Sequence, residues 1–197
     1  MYYHLGLDFQ NNCKWKNHIK KIYEKACDRL KILRMLKHQV SRKVLINIYL
    51  SFIRPVIEYA DIVWDNCTLH ESNLLESVQV EAGRIITGLR INSSKTKLYV
   101  EFGCEPLYKR REKHKLILMY KIINGHIPNY LSDLVQPYTE NVHNNNLSQQ
   151  ISNENFRLPY CNTVSYNKSC LPSTISLWNE LPASTKTCPS VETSKKS

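Results

Sequence analysis

The sequence predicts a mainly α-helical bundle with a short N-terminal strand and a small irregular C-terminal segment. Three observations carry that prediction. Apolar residues recur at spacings of three and four in several long runs. Residues that start and stop helices stand at the ends of those runs. One early stretch alternates with a period of two.

Residues 2–9 place Tyr3, Leu5, Leu7 and Phe9 at alternate positions, which predicts a single short strand. Residues 18–37 bring Ile19, Ile22, Tyr23, Ala26, Leu30, Leu33 and Leu36 onto one helical face, with Asn17 as the expected cap. Ser41 is placed to cap a second helix running to Ile53. Pro55 is expected to break or kink it, because the ring removes a donor and clashes with the preceding turn. The apolar segment 56–64 then reads as buried. Glu58 within it needs a partner, and Arg54, four residues earlier, is the nearest candidate. Pro55, Tyr59 and Trp64 are assigned structural roles in the same stretch.

A third helix is expected over residues 70–87, closed by Gly88. Residues 92–97 read as a loop. Pro106 suits the first turn of a fourth helix, and Gly125 suits its end. After Pro128 the pattern weakens. The reading there is a helical turn or two over 130–135, an Asn/Gln-rich connector over 136–155, and short strands over 156–160 and 163–166. A short helix follows over 172–180 with Ile175 and Trp178 packing inward, then a polar tail from 183. The expected domains are thus a lead-in over 1–16, a helical domain over 17–135, the connector, and a C-terminal block over 156–197.

A net charge of +10 argues for an anionic partner, and nucleic acid, an anionic membrane surface and an acidic protein all fit it. On the helix over 18–37, Lys20, Lys21, Lys25, Arg29, Lys31, Arg34 and Lys37 face only Glu24 and Asp28. The first turns of the fourth helix carry Lys109, Arg110, Arg111, Lys113 and Lys115 against Glu112, which the helix dipole disfavours. The candidate phosphate contacts are therefore Lys20, Lys21, Lys25, Arg29, Lys109, Arg110, Arg111 and Lys113. Seven scattered cysteines contain no C-x-x-C pair, so neither a zinc site nor a disulfide framework is expected. The first ten residues do not read as a signal peptide, and no apolar run approaches the ~20 residues a membrane span needs. The expected setting is intracellular, nuclear or cytoplasmic, without a membrane partner.

Several chemical motifs fail on inspection. Gly83 to Gly88 has the outer glycines of a phosphate loop, but Leu89 and Arg90 replace its Lys and Ser/Thr. His70-Glu71 opens like a zinc-protease helix, but Leu74 occupies the second histidine position. Tyr59-Ala60-Asp61 looks like the start of a polymerase metal box, yet the second carboxylate is missing. No metal, cofactor or catalytic residue is assigned.

Six segments in one order nevertheless share a pattern. They are YHLGLDF (3–9), Trp15 with His18 and Ile19, LINIYLSFIRPVIEYADIVW (45–64), LESVQVEAGRIITG (75–88), PLYKRREKHKLILMYKIINGHIP (106–128) and LPYCNTVSYNKSCLPSTISLWNELP (158–182). Together they resemble the C-terminal, thumb and post-thumb region of non-LTR (LINE-type, jockey-like) retrotransposon reverse transcriptases. The resemblance implies a thumb-like helical domain that holds the RNA/DNA primer-template, preceded over 1–16 by a remnant of the palm-to-thumb connection. The palm carboxylates of that family would lie before Met1. SVETSKKS (190–197) resembles the start of a further helix, with Ser194 where an apolar residue is expected. The expectation is a remnant of a truncated element, an RNA-directed DNA polymerase fragment without activity of its own. Two roles follow: binding of nucleic-acid backbone, or packing against the missing palm or another protein through exposed apolar faces.

Overall fold

The computed structural model describes residues 2–138 and 155–186. It is mainly helical with a two-stranded sheet at the N-terminus. The chain divides into two compact units, Met1–Arg111 and Glu112–Ser197. The division lies within a helix, well before the boundary at 135 that the loss of periodicity suggested.

In the first unit the expected single strand is a hairpin. Strands β1 (Tyr2–His4) and β2 (Leu7–Phe9) pair antiparallel, with His4 opposite Leu7. Leu5 and Gly6 both have positive φ, 45° and 82°, as a tight two-residue turn with right-handed strand twist requires. This reversal is what the simple alternation concealed. Tyr3 lies opposite Asp8, while Leu7 and Phe9 pack on the core.

Helix α1 (Lys16–Leu36) buries His18, Ile19, Ile22, Ala26, Leu30 and Leu33. It begins one residue before the expected cap Asn17, and Trp15 stands at its entrance. Helix α2 (Arg42–Ile48) follows Ser41, widens over Tyr49–Ile53 into a π-helical turn, and continues as α3 (Arg54–Ile57). Pro55 therefore does not break the helix where expected. The Arg54 N–H reaches the Tyr49 carbonyl, five residues back. That wider turn relieves the clash a proline ring makes with the carbonyl four residues earlier. The break comes later, at Glu58–Ala60, and α4 (Asp61–Trp64) starts after it.

Helix α5 (Leu69–Thr87) is central. Thr68 accepts from the Glu71 N–H and Glu71 accepts from the Thr68 N–H, a reciprocal cap, and Gly88 closes the helix at φ 73° as expected. Residues 92–97 are not a plain loop. Ser94 caps a helix the periodicity missed, α6 (Lys95–Phe102), which ends at Gly103. At eight residues it is too short for a clear stripe. It packs where α5 has Gly83, whose absent Cβ would lie 3.1 Å from Phe102 and 3.2 Å from Leu98. Helix α7 (Leu107–Ile123) then begins after Pro106. The core comprises one side each of α1, α2, α3 and α5, with Trp64, Tyr49, Ile53 and Leu75 fully enclosed.

In the second unit Met119, Ile122, Val135, Ile175 and Trp178 form the core. Helices α8 (Asn129–Ser132), α9 (Val164–Asn167), α10 (Cys170–Asn179) and α11 (Ala183–Lys186) are its elements besides the end of α7. The expected strand at 156–160 is reduced to one bridge between Pro137 and Phe156. Both Asn179 amide atoms hold the Phe156 backbone, at 2.9 and 2.8 Å. The expected strand at 163–166 is the helical turn α9, because Thr163 caps it by accepting from the Tyr166 N–H. Most of the Asn/Gln-rich connector and the terminal segment from 187, Ser194 included, lie outside the described residues.

The α5–α6 contact leads to a prediction. Gly83→Val drives a branched side chain into Leu98 and Phe102 and is expected to destabilise the first unit by about 1–3 kcal/mol. Urea unfolding followed by far-UV circular dichroism measures it; an unchanged midpoint would show that α6 does not pack there.

Candidate nucleic-acid interface

Three parts of the first unit enclose an open cleft of about 610 Å³. Helix α1 forms one wall. Lys21, Lys25 and Arg29 recur every four residues, so the helical repeat places all three on the cleft side. The β-hairpin contributes Tyr3, Gly6 and Asp8, and the α3 region contributes Pro55, Val56 and Tyr59.

The helix break decides where Tyr59 goes. Ala60 adopts the left-handed region at φ 51°, and Tyr59 is left half-exposed at the corner. Its hydroxyl donates to the Leu5 carbonyl at 2.7 Å. Gly6 lies against its ring, and a Cβ there would approach Tyr59 Cε1 to 3.1 Å. Glycine is thus needed at that position both for its φ of 82° and for room. The purely structural role expected for Tyr59 is half the account, because its ring also lines the cleft.

Asp8 and His18, both buried, form the floor. Lys21 Nζ lies 2.8 and 2.9 Å from the two carboxylate oxygens of Asp8. The Asp8 backbone N–H donates to His18 Nδ1 at 3.4 Å, which assigns the neutral tautomer with its proton on Nε2. That Nε2 has no hydrogen-bond partner among the described residues, and the His18 ring sits beside those of Trp15 and Trp64. Burial holds the His18 pKa below its ordinary value of 6.5, against the opposing pull of Asp8.

The eight basic residues singled out in the sequence do not act as one set. Lys21, Lys25 and Arg29 line the cleft. Lys25 makes no salt bridge among the described residues, and the Arg29 guanidinium lies 4.1 Å over the Phe52 ring while donating to the Phe52 carbonyl. Lys20 is exposed beside Glu24, at 3.8 Å, and does not line the cleft. Lys109 is exposed elsewhere, and Lys113 is exposed in the second unit.

Arg110 and Arg111 lie apart from the cleft, and both are taken up by carboxylates. Arg110 grips Glu58 with two nitrogens, and Arg54 reaches the same carboxylate at 3.6 Å, so the expected Arg54–Glu58 pair is a three-residue cluster. The Glu58 carboxylate, outweighing burial, raises the Arg110 pKa further. Arg111 is buried, bonding Asp65 at 2.5 Å and Ser72 at 2.6 Å, with its guanidinium facing the Trp64 ring. A forked guanidinium suits such pairing, and the chain offers no local sign of it because the carboxylates come from about 50 residues away.

Asp61 is buried at the start of α4. Among the described residues no three histidines, cysteines or carboxylates gather as a metal ion would need. Burial pushes the Cys67 thiol up to about 11 and raises that of Cys104, which keeps both protonated and unreactive. The cysteines from Cys13 to Cys170 are free thiols, and no described helix is long and apolar enough to cross a membrane. Comparison with protein-family models, curated proteins and solved structures found no match.

Two expected outcomes follow. Glu58→Gln leaves Arg54 and Arg110 without a counter-charge and should cost about 2 kcal/mol, read from the urea midpoint at constant slope; a neutral result would remove the cluster from the stability of the fold. The unfolded chain protonates His18 more readily than the folded chain does. Stability from this residue is therefore complete above pH 6.5 and declines as pH falls through that value toward the lower folded one. Melting temperatures across that range should show the decline in the native protein and a shallower one in His18→Asn.

Proposed function

We propose that the first unit is a nucleic-acid-binding module that grips the sugar–phosphate backbone, and that the chain is a non-catalytic, thumb-like piece of a non-LTR retrotransposon RNA-directed DNA polymerase. The observation that carries the binding role is the cleft, where three cationic side chains on one helix face meet a single carboxylate already paired with Lys21. Positive charge gathered in a concave, low-dielectric wall focuses the field on an anionic partner. Phosphate contact of this kind positions a nucleic acid without reading its sequence. The resemblance of six ordered segments to the post-palm region of that family supports the same role, and makes a primer-template the natural ligand.

A second reading is supported by the hairpin. Tyr2, Tyr3 and Leu5 are 65, 68 and 73% exposed, apolar side chains along the hairpin suited to a protein partner such as a polymerase palm. Salt separates the two roles, because phosphate contact weakens steeply as salt rises and apolar contact does not.

The test is binding of a labelled RNA–DNA primer-template with a template overhang, followed by fluorescence anisotropy over a salt series. Three phosphate contacts predict a log–log slope of about −2 to −3. Lys25→Glu should weaken binding and flatten the slope, whereas Lys109→Glu should do less. Affinity that ignores both salt and Lys25→Glu would overturn the proposal and favour the protein-partner role.

A further inference from the structure

The cleft has more than cations in it. Tyr3 and Tyr59 line the same space as Lys21, Lys25 and Arg29, and both are more than half exposed. Tyr3 has the geometry of a platform. It stands on β1 opposite Asp8, so its ring rises from the hairpin face that looks into the cleft. Tyr59 is held from the other side by its hydroxyl on Leu5 and by the close approach of Gly6. A ring so fixed loses little freedom when a ligand stacks on it.

We propose that this cleft takes an unpaired nucleotide of a single-stranded nucleic acid, its base stacked on Tyr3 and Tyr59 and its flanking phosphates held by Lys25 and Arg29. The inference rests on the nucleic-acid reading above and names the part of the ligand that enters the site.

Shape separates a single strand from a duplex. The cleft is concave and its volume lies in the range of sites that enclose a small molecule, about 300–1,000 Å³. A duplex presents a convex backbone with its bases stacked inside, so it meets the rim cations and leaves the aromatic rings unused. An unpaired base has an exposed π-face and can leave its stack at little cost. Aromatic rings interleaved with basic side chains are the arrangement by which single strands are held without sequence preference.

Charge is consistent with the same occupant. The lining groups are three cations and one carboxylate, with His18 neutral, which leaves positive charge in excess. Asp8 is buried beneath Lys21 and is shielded from a phosphate at the rim. Among the described residues neither Lys25 nor Arg29 makes a salt bridge, and Arg29 is already engaged by the Phe52 carbonyl and ring, so Lys25 is the cleft cation most available to a phosphate.

The experiment uses the full chain with two labelled probes of equal phosphate number, an oligothymidylate and a blunt DNA duplex, at one salt concentration. Tyr3→Ala serves as the variant because the Tyr3 side chain makes no hydrogen bond among the described residues and, being 68% exposed, lies outside the core. The expected result is tighter binding of the single strand, an affinity loss for it of about five- to 150-fold in Tyr3→Ala, and little change for the duplex. Tyr3→Trp should retain binding, and the added indole emission should be quenched by oligothymidylate. Equal affinity for both probes, unaltered by Tyr3→Ala, would overturn the stacking proposal while a Lys25→Glu loss kept the backbone reading alive. Absence of binding to either probe, or indifference to Lys25→Glu, would overturn both.

Discussion

Two polar side chains on the central helix tie the first unit together. Gln79, fully buried on α5, accepts from the Tyr49 hydroxyl at 2.6 Å and donates to the Glu105 carbonyl at 2.8 Å. Glu76, one turn earlier, accepts from the Tyr99 hydroxyl and from the Leu107 N–H at 2.9 Å. These contacts join the π-helical turn, α6 and the start of α7 to one helix. Burial raises the pKa of both tyrosines, so they remain donors at any ordinary pH. Leaving such groups unpaired in the interior would cost more than the bonds return, so the network imposes register on the helices as well as stability.

The cleft depends on a different constraint, the place where the second helical run stops. Apolar residues predominate from 44 to 64, interrupted at Asn47, Ser51, Arg54, Glu58 and Asp61, and the proline suggests an early end. The π-helical turn absorbs the proline, and the chain turns only at Ala60. Moving the break from Pro55 to Ala60 carries Tyr59 out to the hairpin and puts Pro55 and Val56 on the cleft wall. Trp64, beyond the break, is fully buried, and its indole N–H donates to the Tyr59 carbonyl at 2.9 Å. One end of this short segment thus fixes the core and the other shapes the surface.

The positive charge is divided by its surroundings. Arg110 and Arg111 look in sequence like a basic patch at a helix start, where the dipole disfavours them. Glu58 and Asp65 supply the missing compensation, and both arginines become internal ties. On α1 the lysines have few carboxylates within reach, and those on the cleft side stay near solvent. Charge count in the sequence marks both places equally; the neighbours determine which one can meet a phosphate.

The sequence by itself determined the helical class, the stripes of α1, α5 and α7, and the stops at Gly88 and Gly125, because those follow from periodicity and from φ values glycine alone adopts easily. It also marked Lys21, Lys25 and Arg29, since residues four apart share a helix face wherever the helix sits. Only the tertiary structure decided the rest. The hairpin turn at Leu5-Gly6 has no strong local signature, since a leucine with positive φ is tolerated only in a supported turn. Helix α6 is too short to show a stripe, yet Gly83 on α5 receives it. The pairing of Lys21 with Asp8, of Arg110 with Glu58 and of Arg111 with Asp65 joins residues from different elements, and their chemistry is written in no single stretch. Contacts between distant parts of the chain are set by packing geometry, which is why the cations could be found in the sequence but the site could not.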